Sequence, residues 1–394
     1  DGCSARNCTK RYGGLTSGFM SRTRSARTGA LLALLLAAAC SGDVQPIRIG
    51  VAGAFSDPIG EPMRRAARLA VAEINAAGGV RGRRLELLER DDHANPDSAV
   101  RIAAELYASD AVAVVGHLFS GPTLAAAPIY NSGSDPLVEI SPSSSAPEVS
   151  AAGPFTFRLC PSDLAHGDAL ARWMGERLEL HKGAIFYLDD DYGRGIRHAF
   201  TEQFTRRGGT LVGMEPYLGS APDVAPQLER LAKLVRPEFL FIAGNRDEAE
   251  AILRGARARG IAVPLAGGDG LEGLESAGAL AEGSYVSAAY HPALNSQANR
   301  TFITAWAKEY PGMALPNQPA AATYDAVYLL ARVIQEAGPG RDAIRRNLAE
   351  VGRRGAPFDG VAGRIAFDSL GDVTERPVFI TVIRDGQALL AGSL

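Results

Sequence analysis

Short apolar runs alternate with longer stretches of helical periodicity along most of this chain. Ile47–Ala52 is a β-rich run, and the stretch 61–77 then carries apolar residues at intervals of three and four. Gly78 and Gly79 follow directly and predict the end of that helix. A repeated order of strand and helix is typical of a parallel sheet with helices on both faces.

The same alternation predicts the other elements and a division into two sheets. Further strands are predicted at 84–89, 112–115, 137–140, 155–159, 183–188, 210–217, 239–243, 263–266, 284–289, 363–368 and 378–383. Helices are predicted at 96–108, from 120, at 163–180, from 189, and at 224–235, 247–259, 299–310, 320–337 and 342–351. The pattern restarts after residue 159, and 394 residues are enough for two domains.

The first candidate binding site follows two successive strands. The run 112–115 stops at Gly116, and Ser120 opens an alanine-rich helical stretch; the run 137–140 is followed by the serine-rich segment 141–145. Hydroxyl groups beyond the carboxyl ends of parallel strands lie where such sheets bind ligands. Free N–H groups at a helix start favour a carboxylate or another anion. The alternative is that these serines serve only as caps and turn formers.

Composition and charge exclude some classes of function. Apolar residues make up 46% of the chain, charged residues 22%, and the net charge is −3. These values are ordinary for a soluble globular protein, and no basic block indicates a nucleic-acid partner. The six histidines lack metal-ligand spacing, and the common hydrolase, P-loop and zinc-protease motifs are absent. The sequence therefore predicts a protein that is not an enzyme and that binds no metal or cofactor.

Three local features have both a chemical and a structural interpretation. The acids at 189–191 could bind a metal, but acids at a helix start also favour a cap. Cys160 is the one cysteine inside the predicted fold, and without a histidine and acid partner set a buried thiol is favoured over a nucleophile. His117, near the proposed site, is interpreted as a structural histidine at a strand end.

The N-terminal region has the pattern of a secretory signal. After Met20 come three arginines, the apolar run 30–39 and then Cys40. The apolar run is about half as long as a membrane-spanning helix. Cys40 follows three alanines and resembles the lipidated cysteine of a lipoprotein signal. A plain signal peptide with a chance cysteine is the alternative.

Two phrases in the serine-rich region resemble the ligand-binding segment of the periplasmic branched-chain amino-acid binding proteins of ABC transporters. These are GHLFSGPT at 116–123 and ISPSSSAPE at 140–148; IRIGVAGAFS at 47–56 and TYDAVYLLA at 323–331 extend the resemblance. It implies an α/β type I periplasmic binding protein fold, with two similar doubly wound parallel-sheet lobes joined by a three-strand hinge. The implied divisions are 1–39 for upstream residues and signal peptide, 46–159 with 290–357 for lobe 1, and 160–289 with 358–394 for lobe 2.

The resemblance also implies a role for individual residues. Ser120 and Ser145 would hold the carboxylate of the ligand, with Ser143 at a backbone-contact position. From lobe 2, Asp269 would pair with the ammonium group of the ligand, while Tyr192 and Asn245 would line the pocket. A cap of the following helix is the alternative role for Asp269. The expected ligand-binding residues are thus Ser120, Ser143, Ser145, Tyr192, Asn245 and Asp269.

The sequence departs from the family pattern where the ligand side chain is expected. The loop 57–61 is shorter than in the family, and Ile59 is the nearest match to an aromatic lid. Asn245 also stands at a position that is often aromatic. Ala94 and Phe119 occupy the positions of a first-lobe disulfide, so no disulfide is expected there. The side chain of the ligand is therefore not determined.

The function implied is that of a solute-binding lipoprotein. It would capture a small amino acid or a related zwitterion in the cleft between the lobes and deliver it to an ABC permease. The protein is predicted to be a monomer in the periplasm or on the outer face of the cytoplasmic membrane, anchored through Cys40. The alternatives are a ligand sensor or regulator with the same fold, and a binder of an amide or simple carboxylate.

Overall fold

The computed structural model describes residues 45–219, 223–234 and 236–391. The predicted signal segment and the lipidation site Cys40 lie outside the described residues, so both stay predictions. Within the described ranges, no helix combines the length and the apolar character that crossing a membrane requires.

Strands and helices alternate through the first two thirds of the described chain. The strands are β1 Ile47–Gly53, β2 Leu85–Asp91, β3 Ala111–Val115, β4 Val138–Ser141, β5 Thr156–Arg158, β6 Lys182–Leu188, β7 Thr210–Tyr217, β8 Phe239–Ala243, β9 Leu265–Gly267, β10 Tyr285–Ala288, β11 Phe358–Gly360, β12 Gly363–Ile365, β13 Phe379–Arg384 and β14 Gln387–Leu390. The helices are α1 Glu61–Ala76, α2 Pro96–Ala108, α3 Ser120–Tyr130, α4 Asp163–Arg172, α5 Asp191–Arg206, α6 Ala225–Leu234, α7 Arg246–Ala258, α8 Gln297–Glu309, α9 Gln318–Ala337 and α10 Arg341–Leu348.

The first sheet has five parallel strands in the order β2-β1-β3-β4-β5. One face carries α1 and α9, whose apolar side chains share a core with Ile49, Val115 and Ile140. The other face carries α2 and α3, packed around Val114 and Leu106. Helices on both faces explain why these strands are almost continuously apolar.

The second sheet has seven strands in the order β14-β13-β10-β9-β8-β6-β7. Strands β6 to β10 are parallel, which confirms the doubly wound α/β class, but β13 and β14 run antiparallel. Asp385 and Gly386, both with positive φ, make the two-residue turn between β13 and β14. A two-residue turn with positive φ is typical of a β-hairpin. β13 and β14 therefore form an antiparallel edge on a sheet that the sequence predicted to be parallel.

One strand prediction was wrong in its placement. The stretch 363–368 was expected to join the second sheet, but β12 pairs only with β11 in a separate hairpin. Val361, Ile365 and Phe367 lie in the core of the first sheet. Asp325 in α9 explains this placement, because it accepts hydrogen bonds from the backbone N–H groups of 361 and 362. The lobe boundaries deduced from the sequence stay a prediction.

Glu139 in β4 is a buried carboxyl that forms no ion pair with any residue in the described ranges. Thr156 Oγ1 donates to its Oε1 at 2.9 Å, whereas Oε2 has no hydrogen-bond partner. Burial raises the pKa of Glu139 to about 8. The unfolded chain releases this proton near the ordinary value of 4.5. Between these two pH values the folded state holds a proton that the unfolded state lacks, so stability falls as pH rises.

We expect Glu139→Gln to increase the free energy of unfolding at pH 9 by roughly 2–4 kcal/mol, with little effect near pH 4.5. The amide keeps the size of the side chain and removes the unfavourable ionisation. Urea denaturation at pH 5, 7 and 9 measures the difference. Glu336→Gln, at an exposed position in α9, is the control and should leave the pH dependence unchanged. Parallel curves for wild type and Glu139→Gln would contradict the expectation.

Candidate functional site

The serines after β3 and β4 divide into two groups. Ser141 Oγ donates to the His117 carbonyl at 2.7 Å, and Ser144 Oγ lies 2.7 Å from Thr123 Oγ1. These two hydroxyls hold the loops together. Ser120, Ser143 and Ser145 line a cavity instead. The hydrogen bonds of Ser141 and Ser144 therefore fix the loop that carries Ser143 and Ser145.

Ser120 is the first residue of α3, not its N-cap. The N-cap position is Phe119, which makes no side-chain capping bond. Ser120 Oγ instead accepts a hydrogen bond from Ala146 N–H at 3.3 Å, which joins the two loops. The sequence interpretation of Ser120 as the N-cap was therefore wrong by one residue. In its observed position, Ser120 lies at the cavity wall.

Arg158, at the end of β5, holds the Ser145 loop from behind. Its Nη1 donates to the carbonyls of Ser145 and Ala146 at 3.1 and 2.9 Å. Its Nε lies 2.7 Å from Asp372 Oδ1, and its Nη2 donates to Asp372 Oδ2 at 2.7 Å. Because Arg158 is buried, this network fixes the backbone that carries Ser145.

The opposite wall comes from the second sheet. Asp190 caps α5 by accepting from Gly193 N–H at 2.7 Å, which confirms the cap interpretation of the acids at 189–191. Tyr192, in the first turn of α5, donates its hydroxyl to Asp269 Oδ1 at 3.1 Å and accepts from Gly270 N–H at 2.8 Å. Asn245 is the N-cap residue of α7 after β8.

One cavity brings all six predicted residues together. It encloses about 440 Å³ of empty space, counting its opening to solvent. Ser120, Ser143, Ser145, Tyr192, Asn245 and Asp269 all line it, together with Ile59, Leu118, Phe119, Gly270, Glu272, Gln318 and Pro319. Loops at the carboxyl ends of strands in both sheets thus meet at one place, as open α/β sheets require of a ligand site.

Asp269 has no permanent cationic partner. Its side chain is 11% exposed, and His166 Nε2 lies 3.6 Å from its Oδ2. Burial lowers the pKa of His166, so the imidazole is neutral at pH 7, and its Nδ1 lies 2.9 Å from Ser287 Oγ. No lysine or arginine in the described part of the chain forms an ion pair with Asp269. Asp269 is thus a largely buried cavity carboxyl without a Lys or Arg partner among the described residues.

Asp163 lies behind the same wall and was not predicted. Both of its carboxyl oxygens are buried without a hydrogen-bond partner. Burial, and then the charge of Asp269, raise the pKa of Asp163 well above its usual value. The surroundings of Asp163 therefore disfavour its charged form. No spacing motif in the sequence indicated this burial.

The remaining candidate residues have structural positions. His117 is fully buried outside the cavity, with its Nδ1 2.6 Å from Asp92 Oδ2. Cys160 is a buried free thiol, as predicted, and burial raises its pKa. Among the described residues, no group of three or more histidine, cysteine, aspartate or glutamate side chains is placed to hold a metal ion.

Glu272 and Gln318 are the polar cavity residues that the sequence did not reveal. Gln318 opens α9, and Glu272 follows the 3-10 turn Asp269–Leu271. The backbone N–H of Gln318 donates to Glu272 Oε1 at 2.9 Å. The single available signal was an acid three residues after Asp269, and it could not show that a distant helix start lies against it.

Two α/β sheets whose strand ends meet at a shared cavity define a type I periplasmic binding protein. A family model described as periplasmic binding protein matches residues 46–388. The Leu/Ile/Val-binding protein of Escherichia coli K12 is 30% identical over 267 residues, covering 66% of this chain and 72% of that protein. The chain belongs to the periplasmic branched-chain amino-acid binding protein family.

Other relatives extend the match over most of the described chain. A leucine-, isoleucine-, valine-, threonine- and alanine-binding protein of Pseudomonas aeruginosa is 28% identical over 357 residues, 89% of this chain and 93% of that protein. The crystal structure of an ABC transporter substrate-binding protein of Desulfitobacterium hafniense in complex with leucine has a TM-score of 0.76. It is 31% identical and covers 88% of this chain and 100% of its own.

Proposed function

We propose that this protein captures a free amino acid in the cavity and delivers it to an ABC permease. The observation that carries the proposal is the opposite polarity of the two walls. Ser120, Ser143 and Ser145 offer hydroxyl groups on one side, and Asp269 offers a carboxylate without a permanent cation on the other. A buried charge is tolerated when it is paired, so a zwitterion satisfies both walls at once.

The roles of the wall residues follow from this polarity. Ser120 and Ser145 bind the carboxylate of the ligand, and Ser143 contacts it through the backbone. Asp269 pairs with the ammonium group, and Tyr192 holds the Asp269 carboxylate in position through its 3.1 Å hydrogen bond. Asn245 completes the second wall. The ligand leaves unchanged, because the proposal assigns binding groups and no catalytic group.

The location and partners of the protein belong to the same proposal. The relatives are periplasmic binding proteins, which supports a site outside the cytoplasm. We assign Cys40 as the lipid anchor and a monomer as the functional form. A sensor with the same fold would bind the same ligand but would have a regulatory partner in place of the permease.

A panel of amino acids, their amides and simple carboxylates tests the proposal by thermal shift. A ligand at about a hundred times its dissociation constant stabilises the native state by roughly 2.7 kcal/mol, which raises the melting temperature measurably. At least one α-amino acid should give this rise and be recovered unchanged after incubation. A response restricted to ligands without an amino group would overturn the amino-acid assignment.

Ser120→Ala should weaken amino-acid binding by about 1.5–3 kcal/mol, because a hydrogen bond to the charged carboxylate is lost. Isothermal titration calorimetry on the folded variant measures the change. Ser132→Ala is the matched control: this exposed serine follows the other end of α3, and its hydroxyl bonds only to the Ile129 carbonyl. Equal affinity for Ser120→Ala and wild type would show that the Ser120 hydroxyl does not bind the ligand.

A further inference from the structure

The cavity has a third region besides the serine wall and the Asp269 wall. If the carboxylate of an amino acid lies at the serines and its ammonium at Asp269, the side chain must occupy the rest of the cavity. The lining residues without an assigned role are Ile59, Leu118, Phe119, Gly270, Glu272, Gln318 and Pro319. We call Ile59, Glu272 and Gln318, which the contacts below link together, the side-chain corner. A corner suited to a hydrocarbon would be apolar throughout, and this one is not.

Contacts between the loops hold the side-chain corner together. The Ile59 carbonyl accepts from Asn317 Nδ2 at 2.9 Å, and the next residue, Gln318, donates its backbone N–H to Glu272 Oε1 at 2.9 Å. Gln318 is also fixed by its side chain, which accepts from Ser143 Oγ at 2.9 Å and donates to the Pro142 carbonyl at 2.9 Å. These four hydrogen bonds link the three residues of the corner to one another and to the serine loop.

Glu272 has hydrogen-bonding capacity that the protein does not use. Its Oε1 bonds to Gln318 N–H, whereas no described residue provides a partner for Oε2 or an ion pair for the carboxyl. A polar atom at the wall of a largely buried cavity loses water on ligand binding, and without a new partner this lowers affinity. A hydrocarbon side chain provides no such partner.

We infer that Glu272 selects the ligand side chain, and that the preferred ligands are α-amino acids with a hydroxyl or carboxamide group rather than a branched hydrocarbon. The inference rests on the proposed function and specifies its substrate class. A hydroxyl or a carboxamide can bond to the Glu272 Oε2 atom and so replaces the water that this atom loses. Ile59 and the neighbouring apolar side chains then contact the carbon atoms of the ligand.

The protonation of Glu272 is compatible with both kinds of ligand. Burial raises the pKa of Glu272 to about 8, so the carboxyl is mostly protonated at pH 7 and ionised at higher pH. Hydroxyl and carboxamide groups can each donate and accept hydrogen bonds. They therefore match the neutral carboxyl as well as the carboxylate, whereas the side chain of valine or leucine matches neither.

Two pairs of near-isosteric ligands test the inference by calorimetry: threonine against valine, and asparagine against leucine. Wild type should bind threonine and asparagine about tenfold or more tightly than their apolar counterparts. Glu272→Leu should abolish or reverse the preference, and Glu272→Gln, which keeps a polar group, should retain it. Glu336→Leu is the control, because Glu336 is an exposed acid in α9, the helix that Gln318 opens, and does not line the cavity. It should keep the wild-type preference.

The outcomes separate this inference from the proposed function. If wild type binds valine and leucine as tightly as threonine and asparagine, the inference is wrong and amino-acid binding stands. If Glu272→Leu weakens all four ligands equally, Glu272 serves the common amino-acid core and not the side chain, which also overturns the inference. If wild type binds no amino acid at all, the proposed function itself fails. The wild-type comparison remains decisive even where a Glu272 variant does not fold.

Discussion

Asp269→Ala is expected to weaken the binding of every α-amino acid by about 3–5 kcal/mol, the range observed when one partner of a buried ion pair is removed. The Asp269 carboxyl lines the cavity, and its side chain is only 11% exposed. Without the carboxylate, the ammonium group of the ligand would enter the cavity with no counter-charge. Calorimetry with a ligand identified by thermal shift measures the loss directly.

The local electrostatics explain why Asp163 and His166 do not replace Asp269. Burial raises the pKa of Asp163 well above its usual value and lowers the pKa of His166, which disfavours a charge on either side chain. Tyr192 donates its hydroxyl hydrogen to Asp269 and therefore orients that carboxylate without adding charge. Asp269→Asn should consequently lose most of the affinity as well, although it preserves the shape of the wall.

Two controls make the Asp269 expectation specific. Asp247→Ala removes an exposed acid from the first turn of α7 and should leave affinity unchanged. A ligand that keeps the carboxylate and lacks the ammonium group should lose much less affinity in Asp269→Ala than an amino acid does. An equal loss for both kinds of ligand would mean that Asp269 maintains the shape of the cavity and does not pair with an ammonium group.

The periodicity of the sequence predicts the parallel parts of the fold well. Thr210–Tyr217 and Phe239–Ala243 have the same limits in the sequence prediction and in the structure. These strands are short β-rich runs, flanked by glycine or turn residues, and tertiary contacts do not alter their extent. The predicted helix at 163–180 was less accurate, because α4 ends at Arg172 and a π-helical turn, Trp173–Arg177, follows.

Long-range contacts decide the features that local pattern cannot predict. The sequence of β12 does not indicate which sheet the strand joins. The buried Asp325 accepts hydrogen bonds from the backbone just before β12 and so places this strand beside the first sheet. The antiparallel edge of the second sheet depends on the Asp385-Gly386 turn, which the sequence analysis did not recognise. In both cases the partner of a strand is set by residues outside the strand.

Local sequence pattern also predicts only part of the candidate site. Each of the six predicted residues stands within about four residues after a strand or in the first turn of a helix, so its position near a sheet end could be predicted from the order of elements. Glu272 and Gln318 are 46 residues apart. Their contact depends on how the start of α9 lies against the loop after β9, which no local spacing encodes. The substrate preference that we infer depends on this contact.

Arg158→Met is expected to lower the free energy of unfolding by about 3–5 kcal/mol and to weaken ligand binding. The guanidinium is buried, pairs with Asp372 and donates to two carbonyls in the serine loop. Methionine leaves the Asp372 carboxylate without its cation and the carbonyls of Ser145 and Ala146 without their donor. Urea denaturation measures the stability, and calorimetry measures affinity at a temperature where the variant remains folded.

A double variant distinguishes the effect of Arg158 on stability from its effect on ligand affinity. In Arg158→Met/Asp372→Leu the buried pair is replaced by apolar side chains, which is often neutral or stabilising, so part of the lost stability should return. Affinity should stay low, because the Ser145 backbone still lacks its donor. Arg172→Met, at a partly exposed position at the end of α4, is the control and should change neither quantity by more than about 0.5 kcal/mol. Full recovery of affinity in the double variant would show that Arg158 acts only through stability and does not position the serine loop.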